Sequence, residues 1–311
     1  TLPDMAVAEE KGKTSFKQED KARSVLAGSG FYEIISYSFI ASKNIADLQT
    51  PEEHAFRRYI SISNPLSRDQ SVMRTTLLPG LLMAVAENHR HKNMNLKIFE
   101  LGRVFFREKQ NSLPTEKLMI GGVMCGLQTE ESWNCPRREV DFFDLKGTLE
   151  NLFRALFIGG IHYQVNNSIP YLHSGISSLV ILNERPVGVL GELHPHVLDN
   201  FGISRKIFVF EIDFGEIIRY YVNNRKAKPP PKFPPVYRDI ALVVDIDTPH
   251  QIIEEVITSS NVRFLEEVKV FDVYQGDPIP AGKKSLAYRM KFQSRDRSLT
   301  DEEVNLLSLI H

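Results

Sequence analysis

Cysteine is nearly missing from this chain: Cys125 and Cys135 are the only two among 311 residues. They offer no disulfide framework and no zinc spacing, and they suit a reducing compartment. No run of 18 apolar residues occurs, so nothing reads as a membrane-spanning helix. The opening TLPDMAVAEEKGK lacks the pattern of a signal peptide and does not begin with Met. The closing TDEEVNLLSLIH starts a helix that simply stops. The expectation is a fragment of a longer cytoplasmic protein with no membrane association. An excess of one charge is also lacking, since 38 Lys and Arg face 39 Asp and Glu for a net charge of −1. That balance says nothing about a polyanion partner, but its distribution does. Residues 225–238 hold five basic residues and no acid, and residues 283–297 hold six against Asp296 alone. Positive charge therefore gathers towards the C-terminus, where a phosphate backbone would be drawn.

What is present is an ordinary globular composition, 42% hydrophobic and 25% charged, in a length that suits two domains. Five prolines between Pro229 and Pro235 mark the clearest boundary, because they remove backbone donors and favour an extended spacer. The expected division is 1–221, a proline-rich linker at 222–235, and 236–311. The first part mixes strands (EIISYSFI, LKIFELGRVFF, KLMIGGVMCGL, SSLVILN, RPVGVLGEL, KIFVFEID) with helices. RTTLLPGLLMAVAENHRH has helical spacing with Pro79 in its first turn, and DFFDLKGTLENLFRALF carries Leu145, Leu149, Leu152, Phe153 and Leu156 along one side. Strands joined by short turns with helices packed on them predict an α+β fold built on an antiparallel sheet.

The second part reads βαββα, one strand short of the ferredoxin-like βαββαβ order. The fourth strand would follow His311, and its absence would leave the first strand as an edge. Thr300 and Glu303 form a capping box for the last helix. Alternation in residues 271–292 sets Leu286, Tyr288, Met290 and Phe292 on one face and Ser285, Ala287, Arg289 and Lys291 on the other. Asp272 and Tyr274 share a face, with Phe271 and Val273 opposite. With helices covering one side, Ala241, Val243, Asp272, Tyr274, Ser285, Ala287, Arg289 and Lys291 collect on the open side. These suit a single-stranded nucleic acid: Tyr274 can stack on a base, Asp272 and Ser285 can read donors and acceptors, and the cations meet phosphates. A merely solvated face is the alternative.

KFPPVYRDIALVVD, FDVYQG, GKKSLAYRMKF and LTDEEVN, in that order, resemble the anticodon-binding domain of the β subunit of bacterial phenylalanyl-tRNA synthetase. GFYEIISYSFI, NPLSRDQSVMRTTLLPGLL, FELGRVF, DFFDLKGTLENL and GELHPHVLDNFGI resemble the catalytic-like module of the same subunit. The resemblance implies an inactive class II synthetase-like domain followed by a truncated ferredoxin-fold domain. It implies anticodon contacts at Ala241, Asp272, Tyr274 and Ser285, with Lys283, Lys284, Arg289 and Lys291 near the phosphate backbone. It further implies a catalytic α subunit and phenylalanine tRNA as partners, αβ pairs forming a heterotetramer, and ATP with Mg2+ used by the complete enzyme but no cofactor in this chain. Arg103 and Arg107 stand where class II enzymes grip ATP, with surface or interface pairing as the alternative. Glu211, Asp213 and Glu216 stand where the active paralogue has glycines and an arginine, and a carboxylate there would repel triphosphate.

Other readings are thinner. His89 and His91, and His194 and His196, lack the i, i+4 spacing of a zinc site. No G-x-S-x-G elbow is present, and GSG at 28–30 follows a helix rather than a strand. No catalytic residue and no metal ligand is expected. Two alternative functions stay open: a self-sufficient ATP-dependent ligase, and a stand-alone ligand-sensing or RNA-binding ferredoxin-like module.

Overall fold

A computed structural model describes residues 13–65, 67–108, 113–221, 229–260 and 262–308 of the chain. The expected features at residues 1–12, at the basic Arg225, Lys226 and Lys228 within 222–228, and at the final 309–311 lie outside the described residues. The chain divides into two compact units, Thr1–Asn224 and Arg225–His311.

In the first unit the elements run α1 (Lys13–Gly28), β1 (Tyr32–Glu33), β2 (Phe39–Ile40), α2 (Ser42–Ala46), β3 (Val72–Met73), α3 (Leu78–Arg90), β4 (Leu96–Phe106) and β5 (Thr115–Cys125). They continue with α4 (Phe142–Ala155), β6 (Ile161–Val165), β7 (Leu172–Leu182), β8 (Arg185–Leu193), α5 (Pro195–Asn200), β9 (Phe208–Asp213) and α6 (Phe214–Ile217). Seven strands form one sheet in the order β1-β4-β5-β9-β8-β7-β6. Only the β1–β4 pair is parallel, and the remaining pairs are antiparallel. Alternation divides this sheet between two cores. Phe99, Met124, Phe208 and Phe210 pack with Leu26 of α1 and with Leu145, Leu149 and Leu152 of α4. Their neighbours Ile98, Val123 and Val209 pack on the other face with Leu78, Leu81, Leu82 and Val85 of α3 and Val197 of α5. Strands buried on both sides lose their polar alternation, so β4, β5 and β9 read as near-continuous apolar runs. Helix α4 is started by a capping box, with Asp144 N–H donating to Asp141 at 3.0 Å and Asp141 N–H to Asp144 at 2.9 Å.

EIISYSFI is not the single strand its composition predicts. It forms two short pieces, β1 beside β4 and β2 beside β3. Between them Ser36 turns inward, and its hydroxyl donates to Glu100 at 2.6 Å while accepting from Arg74 at 2.9 Å. Arg74 and Glu100 form a buried ion pair at 2.6 Å, and Arg74 Nε also donates to the Arg103 carbonyl at 2.8 Å. Gly102 of β4 leaves the room this needs, since a methyl group there would run into the Arg74 guanidinium. A second buried carboxylate, Glu211 of β9, accepts from the Leu77 N–H at 2.6 Å and contacts the Thr76 hydroxyl at 2.8 and 2.9 Å. These bonds satisfy orphan donors at the start of α3 and fasten that helix to the middle of the sheet.

The second unit runs β10 (Val236–Asp245), α7 (His250–Ser259), β11 (Leu265–Tyr274), β12 (Lys283–Phe292) and α8 (Asp301–Ser308). Its sheet has the order β10-β12-β11, antiparallel throughout, which is the ferredoxin-like arrangement. Leu286, Tyr288, Met290 and Phe292 lie against Ile257 of α7 and Val304 of α8. The capping box at α8 forms, with Thr300 N–H donating to Glu303 at 3.1 Å and Glu303 N–H donating to the Thr300 hydroxyl at 3.3 Å. Among the described residues strand β10 pairs with β12 alone.

Burial pushes the Glu211 carboxyl up to about 7, partly opposed by the Leu77 and Thr76 hydrogen bonds. The folded chain therefore binds this proton more tightly than the unfolded chain between the ordinary carboxylate range and neutrality. The corresponding stability is complete below the unfolded value and is lost as pH rises through about 7, a term on the order of 3 kcal/mol. Urea unfolding from pH 4.5 to 8 should show this decline, and Glu211→Gln should flatten it. Glu211→Ala should lower stability by about 2–4 kcal/mol at pH 4.5, because it strands the Leu77 N–H and leaves a cavity. The loss should be correspondingly smaller at pH 8, where the wild type has already lost the Glu211 term.

Candidate nucleic-acid interface

Both helices of the second unit pack on one side of its sheet, so the other side is left to solvent. The open face is set by register: Asp239 opposite Arg289, Ala241 opposite Ala287, Val243 opposite Ser285, and Asp245 opposite Lys283. On the far side of β12, Asp272 pairs with Ala287 and Tyr274 with Ser285. Ala241, Asp272, Tyr274 and Ser285 thus come together on one surface, as the alternation predicts. Tyr274 is 46% exposed, and its hydroxyl donates to the Asp277 carbonyl at 2.8 Å, which holds the ring near the β11–β12 loop.

Phe271 departs from expectation. Simple alternation puts it opposite Asp272, on the helix-covered side. A β-bulge between Val270 and Asp272 breaks the register, so two successive residues of β11 face the same way. The Phe271 ring lies 4.9 Å from the Arg289 guanidinium and is 49% exposed. Tyr237, 51% exposed and opposite Lys291, is a further aromatic of this face that the sequence reading did not single out. Its signal was available, because it alternates with Asp239 and Ala241. The bulge had no such signal.

The cations also differ from expectation. Arg289 makes a two-pronged pair with Asp239 at 2.8 and 2.7 Å, Lys283 pairs with Asp245 at 3.0 Å, and Lys291 pairs with Glu266 at 3.3 Å. The Arg289 hydrogen bonds hold the Asp239 carboxyl below the usual range. Lys284 stands opposite Val244 at the helix-side register and is half-buried, not on the face with Lys283. The positive charge seen in sequence is therefore largely balanced by carboxylates from neighbouring strands. The Arg-Asp pair that opens β10 is split by the sheet. Asp239 takes the open face, whereas Arg238 reaches α8 and bonds Asn305 at 2.8 Å and Asp301 at 2.5 Å.

In the first unit Arg103 takes the surface pairing given as the alternative to an ATP contact. Arg103 is exposed and pairs with Glu116 at 3.4 Å, and Arg107 is exposed. The expectation that Glu211 would face and repel a triphosphate is replaced by an interior role, as the anchor of α3. Asp213 caps α6 through the Glu216 N–H at 3.0 Å and pairs with Lys117 at 3.0 Å, while Glu216 pairs with Arg219 at 2.7 Å. His194 opens α5, its ring accepting from the His196 N–H at 3.2 Å, with Pro195 at the first helical position. Among the described residues no group of three or more His, Cys, Asp or Glu is placed to hold a metal, and no helix is long and apolar enough to cross a membrane.

The first unit has the fold of a class II-type synthetase module. A crystal structure of pyrrolysyl-tRNA synthetase from Desulfitobacterium hafniense superposes with a TM-score of 0.53 at 18% identity, covering 67% of this chain and 71% of that one. Residues 1–214 match the family described as phenylalanyl tRNA synthetase beta chain CLM domain, and residues 231–309 match the ferredoxin-fold anticodon binding domain. The chain belongs to the phenylalanyl-tRNA synthetase beta chain family. It is 36% identical over 99% of its length to the phenylalanine–tRNA ligase beta subunit of Geobacter metallireducens, and 39% identical over 98% to that of Moorella thermoacetica. The chain spans 38% of the length of each of these relatives.

The Arg289–Asp239 pair gives a direct test of the face. Its guanidinium Nε–H should exchange slowly at neutral pH and lose that protection as pH falls below the ordinary aspartate range. Asp239→Asn should abolish the protection at every pH, measured by NMR on arginine-labelled protein.

Proposed function

We propose that this chain is a non-catalytic part of a phenylalanine–tRNA ligase β subunit, in which the second unit holds the anticodon loop of phenylalanine tRNA. The observation that carries this reading is the convergence of Tyr274, Asp272, Ser285 and Ala241 on an uncovered sheet face within a region matching an anticodon-binding family. An exposed aromatic ring stacks on any base, at about 1–3 kcal/mol per stack. Asp272 accepts and the Ser285 hydroxyl donates or accepts, so the two discriminate among base edges.

The first unit, with its two cores, serves as a docking module for the catalytic α subunit, in αβ pairs that assemble as a heterotetramer. ATP and Mg2+ then belong to the α subunit, and the complete enzyme works in the cytoplasm. Because Lys283, Arg289 and Lys291 of the RNA-binding face already have carboxylate partners, stacking and base reading supply most of its affinity. Phosphate attraction, with Lys269 as an exposed cation opposite Arg289, supplies less. This favours a salt dependence shallower than the sequence alone suggests.

Binding of the chain to an anticodon stem-loop, compared with a scrambled loop across a salt series, tests this reading. Tyr274→Ala should weaken cognate binding by about 5- to 100-fold without lowering the melting temperature of the second unit. Lys283→Ala should reduce the salt slope by one unit or less, since Asp245 already offsets part of its charge. Equal binding of both loops by wild type and Tyr274→Ala would overturn the anticodon role.

A further inference from the structure

We propose a second nucleobase slot on the same face, formed by Tyr237 and the Arg289 guanidinium, which takes an unpaired RNA base outside the triplet read near Tyr274. It rests on the reading of this face as RNA-binding and extends it along β12. Three observations carry it. A cleft of about 300 Å3 opens between Tyr237, Arg238, Asp239 and Arg289. The Arg289 guanidinium is fixed as a plane, with its Nε and Nη2 bonded to the two Asp239 oxygens at 2.8 and 2.7 Å and its centre 4.9 Å from the Phe271 ring. Tyr237 stands half-exposed beside it on the neighbouring strand, one register step along at Lys291.

Nucleobases stack on aromatic rings and on guanidinium planes alike. A surface arginine is ordinarily a poor platform, because its long side chain is mobile and its charge is well hydrated. Here the two-pronged carboxylate and the ring pre-order it, which lowers the entropy lost on binding. Asp239 also offsets the Arg289 charge, so the guanidinium itself favours a flat ring over a phosphate. The exposed Lys269, opposite it on β11, is free to meet the backbone of the same nucleotide. From Ser285 to Arg289 along β12 is about 13 Å at the usual strand rise, too far for one base to touch both. The occupant is therefore a different nucleotide from the one at Tyr274. Phe271 acts as a positioning residue: the bulge places it under the guanidinium, and it supports the plane from behind.

The test uses the 311-residue chain and an anticodon stem-loop of phenylalanine tRNA in which each loop base is replaced in turn by an abasic site. In wild type, one abasic position outside the triplet should weaken binding by about tenfold. In Arg289→Lys, which keeps the charge but loses the plane, and in Tyr237→Ala, the same replacement should change affinity less than twofold. Tyr237→Phe should behave as wild type, and Phe271→Leu should fall between. Circular dichroism melts should match for all variants, because both slot residues are exposed. If every position outside the triplet is silent in wild type, or if the variants keep the full tenfold loss, the second slot is overturned. Should abasic sites within the triplet and Tyr274→Ala also prove silent, the anticodon reading falls with it. Triplet effects that persist while flanking effects vanish sink only the slot.

Discussion

A β-sheet has two faces, and each must meet either another layer or water; most of this molecule follows from how the two units meet that demand. In the first unit both faces are covered. Residues one apart on the same strand, such as Ile98 and Phe99 or Val209 and Phe210, enter different cores. In the second unit α7 and α8 cover a single face, and the other face is an ordered surface whose side chains meet solvent. The distribution of helices therefore decides which sheet keeps an uncovered face.

Burying both faces of the larger sheet brings polar groups inside, and two sets of them are satisfied by one another, whereas the buried Tyr163 hydroxyl of β6 has no hydrogen-bond partner among the described residues. Arg74, Glu100 and Ser36 form one buried set, and Glu211, Thr76 and the Leu77 N–H form another. Removing one partner of such a pair is far costlier than its net contribution suggests, because the other is left desolvated. Glycine at 102 belongs to the same arrangement, since the guanidinium occupies the space a side chain would need. Glu211, which the resemblance set against a triphosphate, thus acts as a fastener between α3 and the sheet. The module retains a synthetase-like architecture while its interior carboxylates serve packing.

The open face of the smaller sheet shows a different balance. Three of its cations, Lys283, Arg289 and Lys291, are paired across strands, so its electrostatic field is weaker than a count of lysines and arginines implies. Also exposed there are Lys269, aromatic rings and one guanidinium fixed by a carboxylate beside Phe271. Surface ion pairs contribute little to stability. Their importance here is geometric, because they orient groups that a flexible partner can use.

Much of this was legible in the residues themselves. Period-two alternation in residues 283–292, helical spacing in residues 142–156, Pro79 and Pro195 at helix starts, and the Thr300–Glu303 cap are local signals, set by backbone geometry within a few residues. They determined the α+β class, the βαββα order and the grouping of Asp272, Tyr274 and Ser285. Contacts far apart in sequence decided the rest. The break in EIISYSFI depends on Glu100, more than 60 residues away. The fate of Glu211 depends on Thr76, 135 residues away. The pairing of Arg289 depends on Asp239, and the position of Phe271 depends on a bulge that exists only when β11 lies against β12. Alternation is a property of one strand, whereas register, bulges and charge pairing are properties of two, and only the folded sheet brings the second strand into place.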